Sequence, residues 1–235
     1  MHPQISADVC GFCILKGTHM STLLKVTNLT IEVAHRRLFE NLNFELPANA
    51  LTCITGENGV GKTTLVKHLL RDLDLNYTSH TTCHLKRSQV QYVPQLRNID
   101  DDYPLSIRSF VQLGFKYHFW PWLNQAMKVK LEQVLAETNL TKIANQPLGH
   151  ASGGEKQRAY LAQALCADPS LLILDEATAS LDRSSKHELL KLLKQIMADR
   201  NLTILFITHD PELIAAYADY ELNLDNHTAT VTKKG

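Results

Sequence analysis

The stretch that decides the fold reads Gly56-Glu57-Asn58-Gly59-Val60-Gly61-Lys62-Thr63-Thr64. It fits the pattern G-x-x-x-x-G-K-[ST], a loop that wraps the phosphates of a bound nucleotide. The apolar run 51–55 before it has the length and β-branched content of a buried strand, and residues 65–70 after it have apolar side chains at helical spacing. Since the pattern requires a strand before the loop and a helix after it, the sequence predicts a nucleoside triphosphate site.

Each residue type in this loop has a physical reason to be there. Glycines let the backbone surround an anion with its N–H groups, and the N-terminus of the following helix adds a favourable dipole. Lys62 is expected to reach the β- and γ-phosphates, and the Thr63 hydroxyl is expected to ligate Mg²⁺. The alternative is a chance glycine-rich turn before a basic residue, which the agreement between motif and flanking pattern disfavours.

Length, composition and charge limit the possible classes of protein. With 235 residues, of which 44% are hydrophobic, the chain can form one core, predicted here as a compact domain with an inserted lobe. The 24 basic and 24 acidic side chains cancel, which disfavours nucleic acid as the main partner. No apolar run approaches the roughly 18–20 residues of a membrane span, so a membrane crossing would need another subunit.

The chain divides into a short leader and one domain. Residues 1–20 lack periodicity and are predicted to be a disordered leader, followed by a nucleotide-binding domain over residues 21–235. Apolar alternation from Leu23 to Leu46 predicts antiparallel strands, whereas the polar segment 76–88 is typical of a loop. Helical periodicity dominates residues 105–165 and predicts a helical subdomain at about 96–165.

Strands return after the helical insertion. The apolar runs 171–174 and 203–207 are separated by an amphipathic helix over 186–197, and this alternation predicts a mainly parallel sheet. The predicted fold class is therefore α/β: a P-loop NTPase core with a mainly parallel sheet, N-terminal antiparallel strands and an inserted helical subdomain.

Acidic and imidazole side chains follow two of the predicted strands. Asp175 and Glu176 end the run 171–174, where one carboxylate suits Mg²⁺ and the next can polarise the attacking water as a general base. The alternative is an acidic pair that caps a helix. His209 follows the next strand and could contact the γ-phosphate, although a lone histidine at such a place is more often structural.

A second anion-binding helix start lies far from the P-loop in sequence. Ser152-Gly153-Gly154 precedes a predicted helix and offers backbone N–H groups. One chain with one triphosphate has no obvious need for two such sites. The simplest explanation is that this one closes over the nucleotide bound by another copy of the chain.

In order and spacing, these motifs resemble those of the ATP-binding subunit of an ABC (ATP-binding cassette) transporter, from about Leu23 to the C-terminus. The resemblance implies that Gln95 contributes to catalysis and to Mg²⁺ coordination, that Glu176 and His209 are catalytic, and that Asp182 contacts nucleotide. The matching segments are Walker A (Gly56 to Thr63), the Q-loop (Tyr92-Val93-Pro94-Gln95), the signature (Ser152-Gly153-Gly154), Walker B (Leu172 to Asp175), the D-loop (Ala179-Ser180-Leu181-Asp182) and the switch histidine (His209).

The chain departs from the family pattern at a few positions. Ala151, Glu155 and Ala177 replace the usual Leu, Gln and Pro, but Ser152 and Gly154 are the signature residues expected to touch phosphate. The aromatic residue that usually stacks on adenine should fall near Val33, where none is present. Whether His35 takes its place is left open.

The segment Asp100 to Gly114 is similar to that of zinc and manganese uptake cassettes. That resemblance implies a homodimer at the cytoplasmic face of the membrane, bound to integral-membrane permease subunits and working with an extracytoplasmic solute-binding protein. The permease is expected to dock beside Gln95, along residues 96–113. Tyr103 and Phe110 are predicted either as its apolar anchors or as core residues of the helical subdomain.

Other functions are possible on sequence alone. The chain could be an ABC ATPase for a different cargo, or a soluble ABC ATPase outside transport, although such proteins usually carry two cassettes or a long coiled-coil insertion. A P-loop kinase is a further alternative, but it would leave Ser152-Gly153-Gly154 and His209 without a role.

Overall fold

The computed structural model describes residues 21–33, 36–75, 80–83, 85–95, 103–115, 123–225 and 228–234. Residues 1–20, predicted to be a leader, His35 and the acidic run 100–102 lie outside these residues. In chain order the elements are β1 (Thr22–Val33), β2 (Arg36–Pro47), β3 (Leu51–Gly56), α1 (Lys62–Leu75), β4 (Thr81–Cys83), β5 (Val90–Val93), α2 (Ile107–Gln112), α3 (Gln125–Glu137), α4 (Gly153–Leu165), β6 (Leu171–Asp175), α5 (Arg183–Arg200), β7 (Thr203–Ile207), α6 (Pro211–Tyr217), β8 (Tyr220–Asp225) and β9 (Thr228–Lys233).

The main sheet has six strands in the order β5-β6-β7-β3-β8-β9. All neighbours in it are parallel except β9, which runs antiparallel to β8. Every residue of β6 and β7 is buried, as expected for parallel strands that are covered on both faces. The parallel arrangement brings the segments after β3, β5, β6 and β7 to one end of the sheet. These segments carry the predicted site residues except Ser152, Gly153 and Gly154, which lie at the start of α4.

A smaller antiparallel sheet of order β2-β1-β4 forms the N-terminal part. Alternate side chains of β1 and β2 are buried, including Leu24, Val26, Phe44 and Leu46, so the two strands present one apolar face. This confirms the predicted fold class, an α/β core with N-terminal antiparallel strands.

The two faces of the main sheet contribute to different cores. Leu171 and Ile173 of β6 pack with α1 and the antiparallel sheet, whereas Leu172 and Leu174 pack with helices α2 to α6. This follows from the two-residue period of a strand, which sends successive side chains to opposite faces. Asp175 therefore continues the row of Leu171 and Ile173, toward α1 and the P-loop.

Some of the sequence expectations were wrong. The segment 76–88, predicted as a loop, contains β4, which pairs with Leu24, Lys25 and Val26 of β1, and a short 3-10 turn at Arg87–Gln89. The hairpin of β8 and β9 was not predicted at all, although the apolar alternation of Tyr220 to Leu224 is visible in the sequence. None of the helices that the structure describes is both long and apolar enough to cross a bilayer.

The described part of the helical subdomain consists of α2, α3 and α4. Phe110 of α2 is buried and meets the ring of Tyr160 edge-on, with ring centroids 4.9 Å apart. It is therefore a core residue, and its alternative role as a surface anchor for a partner was wrong. Tyr103 is partly buried against the same core, whereas Leu113, just after α2, is 52% exposed.

Candidate active site

The P-loop connects β3 to α1 in a conformation that depends on glycine. Gly56, Gly59 and Gly61 have φ angles of 133°, 83° and 112°. A Cβ on Gly56 would lie 2.4 Å from the carbonyl oxygen of Leu224, and one on Gly61 would lie 3.0 Å from the ring of Phe39. Any other residue at these two positions would be strained in its backbone and would displace β8 or β2.

Lys62, the first residue of α1, is held inside the loop. Its side chain is only 6% exposed, and Nζ donates hydrogen bonds to the carbonyl oxygens of Gly56 at 2.9 Å and Glu57 at 3.0 Å. A buried ammonium group needs such acceptors, because desolvation without them is costly. The carbonyl groups of the P-loop therefore hold the Lys62 ammonium group in place, while the N–H groups of the same loop are available to an anion.

Asp175, the last residue of β6, contacts two hydroxyl groups from different elements. Thr63 Oγ1 donates to its Oδ1 at 3.2 Å, and the hydroxyl of Tyr92 on β5 donates to its Oδ2 at 2.7 Å. The residue is 4% exposed. Burial, followed by the hydrogen bond to Asp175, raises the pKa of Tyr92 well above its usual value, so the hydroxyl remains a donor at physiological pH.

Glu176 leaves the strand in a strained backbone conformation. Its φ is 47°, in the left-handed region, which costs a residue other than glycine or asparagine about 1–3 kcal/mol. The Nε2 of Gln95 donates to its Oε2 at 3.0 Å, and its own backbone N–H donates to the carbonyl oxygen of Ile207 at 3.2 Å. The turn therefore directs two consecutive carboxylates, those of Asp175 and Glu176, to different partners. Gln95 contacts Glu176, not the Thr63–Asp175 pair.

His209 is exposed immediately after β7. The backbone on either side of it is anchored, because Thr208 N–H donates to the carbonyl oxygen of Ile54 at 3.3 Å and Asp210 caps the N-terminus of α6. Lys186 of α5 also contacts Asp210, at 2.9 Å. The hydrogen bond from Lys186 lowers the pKa of Asp210, so this link between α5 and the histidine loop is charged at neutral pH.

The Ser-Gly-Gly segment forms the start of α4. Ser152 is the N-cap, and with Glu155 it makes a capping box: Ser152 N and Oγ both donate to Glu155 Oε2 at 2.8 Å. The hydrogen bond from the Ser152 backbone lowers the pKa of Glu155, which is therefore ionised at neutral pH. The space around Gly153 and Gly154 is bounded by Ser180, Leu181 and Ser185, which belong to the segment around Asp182.

Asp182 is in turn the exposed N-cap of α5. It accepts hydrogen bonds from Ser185 N at 3.0 Å and Ser185 Oγ at 2.7 Å, and the side-chain bond is the main reason that the pKa of Asp182 is lowered. The structure thus brings the predicted residues together in two groups. One contains the P-loop, Gln95, Asp175 and Glu176, and the other contains Ser152, Gly153, Gly154 and Asp182.

Sequence reasoning missed the bond from Tyr92 to Asp175. A signal was available, because both residues lie near the ends of predicted strands and tyrosine has a hydroxyl at the end of a long side chain. The strand order that makes β5 and β6 neighbours was needed to use it. At the expected base-stacking position, Val33 is 47% exposed and pairs with Arg36 across the hairpin.

The chain is similar to known proteins over most of its length. Residues 39–179 match the ABC transporter family. The zinc import ATP-binding protein ZnuC 1 of Hahella chejuensis is 31% identical, with 87% of this chain and 75% of that protein covered. The manganese transport system ATP-binding protein MntB of Halalkalibacterium halodurans is 32% identical, with coverage of 88% and 84%.

A solved structure shows the same fold. That of cbiO1 from Clostridium perfringens, part of the ABC transporter complex cbiONQ, superposes with a TM-score of 0.76 at 24% identity, covering 91% of this chain and 88% of that one. The family match spans more than half of the chain and includes the P-loop, the Ser-Gly-Gly segment and the acidic strand end. The chain therefore belongs to the ABC transporter family, and it is an ATP-binding subunit that hydrolyses ATP.

Proposed function

We propose that this ATPase drives the import of a divalent metal ion, zinc or manganese, through a separate membrane subunit. The observation that carries the proposal is the similarity to relatives named for zinc import and manganese transport over most of both chains. The segment 103–114, which includes α2, belongs to the stretch whose sequence suggested the same cargo. The ion is the cargo of the membrane partner and is not expected to bind this chain.

The residues present fit a Mg²⁺ ion bound with the nucleotide. The Thr63 hydroxyl and one carboxylate oxygen of Asp175 lie 3.2 Å apart at the start of α1, and Mg²⁺ prefers such oxygen ligands. Thr63 would hold it directly and Asp175 directly or through water, with Gln95 as a further candidate ligand. The ion would neutralise charge on the β- and γ-phosphates.

The groups around this position support hydrolysis of the γ-phosphate. Lys62 and the loop N–H groups, from Gly56, Glu57, Asn58, Gly59, Val60, Gly61, Thr63 and Thr64, would bind the phosphates. Glu176 would take a proton from the attacking water, because its carboxylate is oriented by Gln95 and remains partly exposed. His209 would contact the γ-phosphate from the end of β7.

We further propose a head-to-tail homodimer in which Ser152, Gly153, Gly154 and Asp182 complete the site of the other copy. The support is that these residues form a helix start and an adjacent cap whose side-chain bonds stay within their own turns. Free N–H groups at such a start attract phosphate. A two-fold axis would then produce two equivalent composite sites.

The proposed assembly includes integral-membrane permease subunits and an extracytoplasmic solute-binding protein, with this chain on the cytoplasmic side. Leu113 is the best candidate anchor for the permease, since it is a large apolar side chain that is 52% exposed in the segment expected to dock. Docking of a partner helix typically relies on such exposed apolar residues.

The proposal is tested by reconstituting the chain with its membrane partner in lipid and measuring ATPase activity. Extracellular-side Zn²⁺ or Mn²⁺ with its delivery protein should stimulate hydrolysis, whereas the isolated ATPase should respond to these ions only as substitutes for Mg²⁺. Leu113→Ala should weaken the stimulation, and Val129→Ala, at a residue of α3 that is 49% exposed, is the matched control. Stimulation by a sugar or amino acid and not by metal would contradict the proposed cargo, whereas the role as a transport ATPase would stand.

A further inference from the structure

We infer that Tyr92 is a positioning residue for the Mg²⁺-binding carboxylate, holding one oxygen of Asp175 so that the other faces Thr63. The inference rests on the proposed role of Asp175 in holding the metal. It adds a residue on a different strand, β5, to the set that determines how the ion is held.

Strand register explains why position 92 can do this. Tyr92 pairs with Ile173 in the parallel ladder of β5 and β6. Side chains at 92, 173 and 175 therefore lie on the same face of the sheet, the face toward α1. The length of a tyrosine side chain carries its hydroxyl past Ile173 to Oδ2 of Asp175, at 2.7 Å.

Each carboxylate oxygen of Asp175 has its own hydrogen-bond partner. The terminal torsion of aspartate is broad and roughly two-fold, so the carboxylate alone would not keep one oxygen toward the P-loop. Tyr92 occupies Oδ2 and Thr63 contacts Oδ1. When the Thr63 oxygen turns toward a cation, Tyr92 remains as the donor that keeps the carboxylate from rotating.

The same short segment also reaches the neighbouring carboxylate. Gln95, three residues after Tyr92, donates to Glu176. Because Tyr92 acts on Asp175 and Gln95 acts on Glu176, loss of the tyrosine hydroxyl should affect metal dependence separately from the general base.

The experiment compares nucleotide affinity with and without metal, using a fluorescent ATP analogue and the full chain in a Glu176→Gln background that prevents turnover. The affinity ratio between saturating Mg²⁺ and EDTA measures the contribution of the metal. Tyr92→Phe, which keeps the ring, should lower this ratio about tenfold, the usual scale for loss of a group that orients a metal ligand. Affinity in EDTA should not change. Tyr217→Phe, which loses a hydroxyl bonded to His187 elsewhere, should behave like the parent.

An unchanged ratio in Tyr92→Phe would overturn the inference, whether the affinity stays the same in both conditions or falls equally in EDTA and in Mg²⁺. If the phenylalanine variant proves unstable, Tyr92→Met provides a second protein without the hydroxyl for the same titration. Asp175→Asn separates the two levels of the proposal. If it abolishes the Mg²⁺ effect while Tyr92→Phe does not, only the role of Tyr92 fails. If Asp175→Asn leaves the effect intact, the proposed metal ligand itself is wrong.

Discussion

The acidic end of β6 and the start of α4 are both polar, yet their hydrogen bonds are organised differently. At the end of β6, Asp175 and Glu176 bond to side chains from α1, from β5 and from the segment after β5. At the start of α4, Ser152 bonds to Glu155, three residues away in the same turn. The first arrangement is built by tertiary packing, and the second by a single helix.

This difference has a functional consequence. A set of groups that bond to one another across elements is preorganised within one chain, which is what a reaction centre requires. A helix start whose cap bonds stay within its own turn can serve as a surface that meets a ligand held by another copy. Chemistry is therefore expected to depend on the first region and dimerisation on the second.

The largest expected effect tests the reaction centre. Glu176→Gln should lower the rate of ATP hydrolysis by about a hundredfold to ten-thousandfold, the range attributed to a general base, while ATP binding is retained. The amide keeps an oxygen that can accept from Gln95. Gel filtration with ATP should show a stable dimer, whereas Lys62→Ala should bind ATP weakly.

Glu188→Gln, an exposed residue of α5, is the matched control and should hydrolyse ATP normally. Near-normal turnover by Glu176→Gln would mean that another residue is the general base.

The next effect tests whether each active site combines the reaction centre of one copy with the α4 start of the other copy. Ser152→Arg and Lys62→Ala proteins should each be nearly inactive, since every site in either homodimer lacks one component. A mixed dimer has one intact site, so equal mixing should recover at most about one quarter of the parent ATPase activity. Full activity of purified monomers, with no dependence on protein concentration, would contradict the composite site.

A smaller effect concerns the charge at the start of α4. Glu155→Gln retains the capping box, which accepts either residue, but removes a negative charge beside the proposed phosphate. Each of the two sites in the dimer should gain about fivefold, close to the roughly 1 kcal/mol between unit charges about 4 Å apart in water, so ATP-dependent dimerisation should strengthen about thirtyfold at low salt. Analytical ultracentrifugation at two salt concentrations measures it, and an unchanged or weaker dimer would mean that phosphate does not approach this helix.

The pH dependence of the same residue has a definite sign. Because the pKa of Glu155 is lowered from its ordinary 4.5 in the folded chain, its capping contribution is fully present above that value. The contribution is lost as pH falls through the folded pKa. In the Gln variant it should persist to lower pH, which urea unfolding at pH 7 and below pH 4 would detect.

The smallest effect concerns the base of the nucleotide. Val33 supplies no ring at the position expected to stack on adenine. Stacking on an aromatic side chain is worth about 0.5–1.5 kcal/mol beyond burial, so its absence should weaken affinity by a few-fold to tenfold and leave ATP and GTP poorly discriminated. Competition binding with both nucleotides measures this, and a strong preference for ATP would indicate that His35 or another ring takes the role.

Local patterns in the sequence were sufficient for much of this protein. The P-loop, the buried strand before Asp175 and the helix start at Ser152 are determined by neighbouring residues: glycine conformations, the two-residue period of strands, and capping. These features are short-range, so the order of the motifs predicted both the α/β fold and the family.

Only the tertiary structure decided which groups meet. Strand order makes β5 the neighbour of β6 and so joins Tyr92 to Asp175. Pairing with β1 turns the polar residues 81–83 into a strand, and packing against Tyr160 makes Phe110 a core residue rather than an anchor. Lys186 and Asp210, on adjacent helices, form another such contact. These contacts join residues far apart in the chain, and their energy depends on burial and orientation, which no local window of sequence contains.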